Sequence, residues 1–69
     1  MANEEITIGQ KIKKRRAVFK LTQEQLARKA DIPYTTFVKI ETGAVKSPSV
    51  NTMKKIATAL DITIDELIK

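Results

Sequence analysis

An all-α fold, a compact bundle of five short helices, is what this 69-residue sequence predicts. Three observations predict it. Apolar residues recur at spacings of three and four along most of the chain, the period of a helix with one buried face. Thr7 with Gln10, Thr22 with Gln25, and Thr63 with Glu66 repeat one helix-start signature, in which a hydroxyl covers one orphan amide and the later side chain covers another. Strand-type alternation is weak throughout, and no repeat, linker or low-complexity tract appears.

The elements follow in order. The first helix is expected over about 8–19 behind Thr7, with Ile8, Ile12 and Phe19 facing inward. The second spans about 23–30 behind Thr22, where Leu21 can pack on Leu26 as a hydrophobic staple. Its Leu26, Ala27 and Ala30 face the core, and the two alanines suit a tight crossing with the third helix. That third helix, about 34–42, buries Phe37 and Ile40 and ends at Gly43, a residue free to take positive φ. Tyr34 falls on its other face and is expected to be exposed. Ser49, after Pro48, caps a fourth helix over about 50–60 with the stripe Val50, Met53, Ile56, Ala57 and Leu60. A last helix, about 64–68, starts behind Thr63, with Ile62 set to staple onto Leu67. Ile32, Ile62, Ile64, Leu67 and Ile68 close the ends of the core. The whole, 1–69, is expected to form one domain, with residues 1–6 a flexible N-terminal tail.

Composition narrows function. An apolar share of 42% suffices for one core with little to spare. The chain has no cysteine and no histidine, which removes disulfides, the usual zinc ligands and the commonest general acid–base groups. No remaining Ser, Thr or Asp has a partner that would activate it, so no catalytic residue, metal site or cofactor is expected and the chain is not read as an enzyme. Apolar runs never exceed three residues, too short to cross a bilayer. The polar start MANEEIT lacks the layout of a signal peptide, and a cytoplasmic location is expected. The net charge of +5 is uneven: residues 1–10 carry −2, residues 11–46 carry +7 and residues 47–69 are neutral. Such concentration suits a polyanionic partner.

The stretch from Gln23 and Ala27, through a short turn at Asp31 and Ile32, to Ile40-Glu41-Thr42-Gly43 resembles the helix-turn-helix of the phage lambda-repressor and Cro family of DNA-binding proteins. The resemblance runs from Ile8-Gly9 to Ile64-Asp65-Glu66-Leu67, by way of Arg16, Leu21-Thr22-Gln23, Leu26-Ala27, Pro48-Ser49, Ile56-Ala57 and Ala59-Leu60. It implies a lambda-repressor-like bundle in which the second and third helices form the motif. It also implies that the third helix enters the major groove of double-stranded DNA, which is about 12 Å wide and admits one helix.

On that resemblance Tyr34, Thr35 and Lys39 are the base-contacting residues. Lys39 is suited to guanine O6 or N7, and Thr35 to a base edge or a thymine methyl. Phosphate contacts are expected from Gln23 at a helix N-terminus, where anions are attracted, and from Thr42, Lys46 and Ser49 around the loop before the fourth helix. Lys13, Lys14, Lys54 and Lys55 are expected to supply a diffuse field. Arg16 and Glu41 are implied to form a partly buried bridge between the first and third helices. Four positions depart from the family pattern. Pro33 replaces a Ser or Thr cap, Asp31 and Asp61 stand where glycine is usual, and Arg15 stands where leucine is frequent.

The resulting expectation is a transcriptional regulator, a repressor, dimeric on a palindromic operator with half-sites about one turn (~34 Å) apart. Ile64, Leu67 and Ile68 are open to two readings, a dimer surface or the close of the core. No small-molecule ligand is expected, and regulation would come from concentration, proteolysis or a partner protein. The alternative is a protein-binding module, such as the antitoxin of a toxin–antitoxin pair. An acidic or apolar outer face on the third helix would favour it, whereas Tyr34, Thr35 and Lys39 favour DNA.

Overall fold

The computed structural model describes residues 7–68; the tail expected at residues 1–6 lies outside them. Among the described residues five helices follow one another: α1 (Ile8–Val18), α2 (Gln23–Ala30), α3 (Tyr34–Thr42), α4 (Val50–Ala59) and α5 (Ile64–Ile68). The starts are set by side chains. The Thr7 hydroxyl accepts from the Gln10 amide at 3.1 Å while Gln10 Oε1 accepts from the Thr7 amide at 3.0 Å. Thr22 and Gln25 repeat this at 3.1 and 2.8 Å, and Thr63 and Glu66 at 3.1 and 2.9 Å. Ser49 Oγ accepts from the Thr52 amide at the start of α4.

Three helices end alike. Leu21 N–H reaches back to the Arg16 carbonyl, Ile32 N–H to Ala27 and Ile62 N–H to Ala57, at 3.0–3.1 Å. The residue inside each loop takes positive φ: Lys20 at 56°, Asp31 at 60° and Asp61 at 58°. The aspartates tolerate this better than most side chains, whereas Lys20 has no such excuse; a left-handed residue other than glycine costs roughly 1 kcal/mol. Gly43, at φ 92°, ends α3 without that cost.

Packing closes a ring. α1 lies against α3 and α5, α2 against α3 and α4, and α4 against α5. Ile12, Leu26, Phe37, Ile40, Ile56, Leu60 and Leu67 are buried at its centre, with Ala27, Ala30, Ala57 and Ala59 letting the helices approach. The tightest approach is between α1 and α3. A Cβ placed on Gly9 would lie 2.7 Å from the Ile40 carbonyl oxygen and nearer still to that of Glu41. Only glycine fits there.

Three apolar expectations are corrected. Phe19 does not line the core. It is the C-cap of α1 and 39% exposed, because the helix ends at Val18 and the stripe begun by Ile12 stops with it. Val50 is 64% exposed, since the first residue of α4 projects beyond the packed ring. Ile68, expected to close the end of the core, is 48% exposed, whereas Leu67 is fully buried and completes the core as one of its two readings had it, so it offers nothing to a second copy; Ile64 is half-buried.

Candidate nucleic-acid interface

Pro33 caps α3 with φ −61° and no side-chain hydrogen bond, so the amides of its first turn lack a capping acceptor. Proline is compatible with that position because its fixed φ also suits an extended cap residue, here with ψ 141°, and the missing N–H would have been an orphan. The uncapped turn leaves the positive end of the helix dipole facing outward. Beyond it α3 has two faces. Phe37, Ile40 and Glu41 are buried, while Tyr34, Thr35 and Lys39 are exposed, Tyr34 by half of its area. Thr35 and Lys39 stand four residues apart and lie one above the other. Lys39 is the helix's one cation and Glu41 its one acid, and the acid points in.

Glu41 anchors the inward face. Its carboxylate accepts from Arg16 Nε at 2.9 Å, Arg16 Nη2 at 3.1 Å and Gln23 Nε2 at 2.6 Å. Arg16 also donates from Nη1 to the Leu21 carbonyl at 2.9 Å. The Glu41 side chain is 3% exposed and that of Arg16 is 18% exposed. A forked guanidinium matches a carboxylate with two parallel bonds, and the third donor satisfies the remaining lone-pair demand of a buried anion. The bridge therefore ties α1, the start of α2 and the end of α3 into one corner. Arg16 and Glu41 were paired on resemblance; Gln23 joins them eighteen residues away from Glu41, a contact that no local signal could announce. Its amide nitrogen carries two N–H groups, so one remains for another acceptor.

The flanking residues differ in how free they are. Lys46 is exposed in the loop between α3 and α4, beside a cleft lined by Thr7, Gly9, Ile40 and Val45. Thr42 is exposed, but its hydroxyl donates back to the Lys39 carbonyl at 3.4 Å. Ser49 is occupied twice: it caps α4 and donates to Thr52 Oγ1 at 2.9 Å. Lys13, Lys14 and Lys54 are exposed and Lys55 is half-buried, all on α1 or α4. Arg28 and Glu24 form an exposed pair at 3.5 Å on α2, a contact of small worth. Arg15 supplies a contact that sequence reasoning missed: its Nε donates to the Leu60 carbonyl at 3.4 Å, fastening α1 to the end of α4.

Two helices joined by a short turn, the second outward and braced from behind, define a motif, and the model of the helix-turn-helix family matches residues 12–67. The chain belongs to the helix-turn-helix family. Among relatives of this helix-turn-helix chain, the immunity repressor protein of Bacillus phage phi105 is 38% identical over 63 residues, which is 91% of this chain and 43% of the relative. The chain thus spans less than half of that relative's length. Among solved structures it is similar to the N-terminal DNA binding domain of SinR from Bacillus subtilis, with 28% identity, a TM-score of 0.86 and 91% of each chain covered. SinR in complex with DNA, described as the master regulator for biofilm formation, is 30% identical with a TM-score of 0.85, over 88% of this chain and 97% of that one. SinR in its complex with SinI gives the same identity and TM-score, over 88% of this chain and 59% of that one.

Proposed function

We propose that this chain is a DNA-binding transcriptional regulator, a repressor, that lays α3 in the major groove and acts by occupying its site rather than by chemistry. One observation carries the reading: Tyr34, Thr35 and Lys39 stand in solvent on a helix whose opposite face is fixed by the Arg16–Glu41–Gln23 corner. A reading head needs an exposed polar face and a rigid back. Similarity to a phage immunity repressor and to SinR bound to DNA supports it. Lys39 and Thr35 address base edges, with Tyr34 on a base or the neighbouring phosphate. Gln23 and Lys46 hold the backbone on either flank, joined by Thr42 and Ser49 through whatever hydrogen-bonding capacity their internal contacts leave.

One α3 reads only a few base pairs, so a dimer on a palindromic operator supplies the rest. With Leu67 buried, Ile68 and the exposed part of Ile64 are what α5 offers to such a dimer. The site of action is the cytoplasm, where bacterial DNA lies; among the described residues no helix is long and apolar enough to cross a membrane. Use of α3 as a protein-binding surface, in the manner of an antitoxin, is disfavoured by its polar, cationic outer face.

Selection of binding sites from random duplex DNA at several salt concentrations tests the reading. The expected result is a palindrome with half-sites about one turn (~34 Å) apart, and an affinity that falls linearly with salt on logarithmic axes. Recovery of no common sequence would reduce Tyr34, Thr35 and Lys39 to general contacts.

A further inference from the structure

α3 carries one cation, Lys39, and the adjoining loop carries Lys46; most of the basic excess lies elsewhere, on α1, α2 and α4. Part of it surrounds an exposed apolar pair at the end of α1, where Val18 is 67% and Phe19 39% exposed. The Phe19 ring is flanked by Arg15, 5.5 Å from its centroid, and by Lys29, at 5.4 Å. Arg15 is held in place by its bond to the Leu60 carbonyl. On the other side of Val18 a groove of about 310 Å³ runs between α1 and α5, with Ile62 as its other apolar lining residue and Lys11 and Lys14 at its rim. No α3 residue lines this groove.

We propose that the Val18–Phe19 patch docks an acidic amphipathic segment of another protein. Phe19 and Val18, with Ile62 across the groove, offer an apolar seat flanked by the cations Lys11, Lys14, Arg15 and Lys29; among the residues lining the groove Glu66 is the one acid. Exposed apolar surface rimmed by charge is the usual composition of a protein-docking site. A segment with apolar side chains at helical spacing and carboxylates beside them matches both features. A second copy of this chain does not: two-fold pairing sets a patch against itself, and these four cations would meet their own images. The phosphate backbone of duplex DNA offers charge but no apolar side chain to fill the groove between Val18 and Ile62, and the thymine methyls lie in the major groove, which α3 occupies. The surface is separate from the outward face of α3, so the segment and DNA can be held together, and the proposal stands independently of the DNA reading.

The test uses the full chain and a synthetic peptide with leucines on one helical face and glutamates on the others, followed by amide chemical-shift mapping. Shifts are expected at Lys14, Arg15, Val18, Phe19 and Ile62, with or without a bound duplex. Phe19→Ala and, at the more exposed position, Val18→Asp should each weaken the peptide by roughly tenfold, the scale of one lost anchor, while melting temperature and DNA affinity stay unchanged. A peptide with glutamine for glutamate should bind more weakly by a similar factor. The proposal is overturned if no peptide binds, if shifts fall on Tyr34, Thr35 and Lys39 and duplex DNA displaces the peptide, or if both variants bind it as the parent does. It is equally overturned if Val18→Asp weakens DNA binding, which would make the patch a nucleic-acid contact, or if it dissolves a dimer of the chain.

Discussion

The inward face of α3 buries Phe37, Ile40 and a carboxylate, whereas its outward face leaves Tyr34, Thr35 and Lys39 in water. The two faces recur every three to four residues, so neighbours across their boundary, such as Lys39 and Ile40, have opposite duties. Substitutions on the inner face should alter whether the helix is held, and those on the outer face should alter what it binds. That separation is physical: a buried anion with three donors cannot be changed without loss of folding energy, while a solvated lysine makes no contact that folding needs.

The largest effect should follow from breaking the inner face at Glu41. Glu41→Ala removes the acceptor of Arg16 and Gln23 and leaves a partly buried guanidinium unpaired. The cost should be about 3 kcal/mol, the low end for a broken buried pair because Arg16 keeps some solvent. In a domain this small that lowers the melting temperature by roughly 12–24 °C, measurable by calorimetry; an unchanged melt would leave the corner without a structural role. Gly9→Ala breaks the same face from behind. Its Cβ would press on the carbonyls of Ile40 and Glu41, which are backbone and cannot swing away. Overpacking of this kind costs about 1–3 kcal/mol, and urea titration should show a lowered midpoint.

On the outer side Lys46→Ala should leave the melt untouched and weaken all duplexes alike. The slope of log affinity against log salt should fall by about 1, the signature of one lost phosphate contact. Asp61→Gly lies away from both faces and sharpens the comparison by its neutrality. Relief of the left-handed strain at φ 58°, less the entropy glycine loses on folding, should stabilise the fold by roughly 0.5 kcal/mol, with DNA affinity unchanged.

Much of this division was legible in the residues. Helix starts were readable because capping boxes are local, four residues long and chemically specific; the end at Gly43 followed from a residue free to take positive φ, and those at Asp31 and Asp61 from resemblance, which puts glycine there. The polar face of α3 and the Arg16–Glu41 pairing came from resemblance, and the structure places all five residues without adding a test of their contacts with DNA. What periodicity could not see was where it stops. Phe19 stands seven residues beyond Ile12, in step with a helix that ends one residue earlier, and so lies outside between two cations. Val50 failed for the mirror-image reason at the start of α4. Lys20 carries no chemical cue for its left-handed backbone. Gln23 was read as a residue at a helix start that faces phosphate. Its bond to Glu41 is a tertiary fact, made by bringing the start of α2 to the end of α3, and it gives that side chain a bracing duty as well.

The most direct measurement is binding-site selection carried out in parallel with the parent chain and with Lys39→Ala, alongside a thermal melt of each. Both proteins should melt together and recover half-sites of the same spacing, while the variant loses preference at one base position and about 1–3 kcal/mol of affinity for the parent's site. An identical preference at every position in the two selections would mean that the exposed face of α3 does not read DNA.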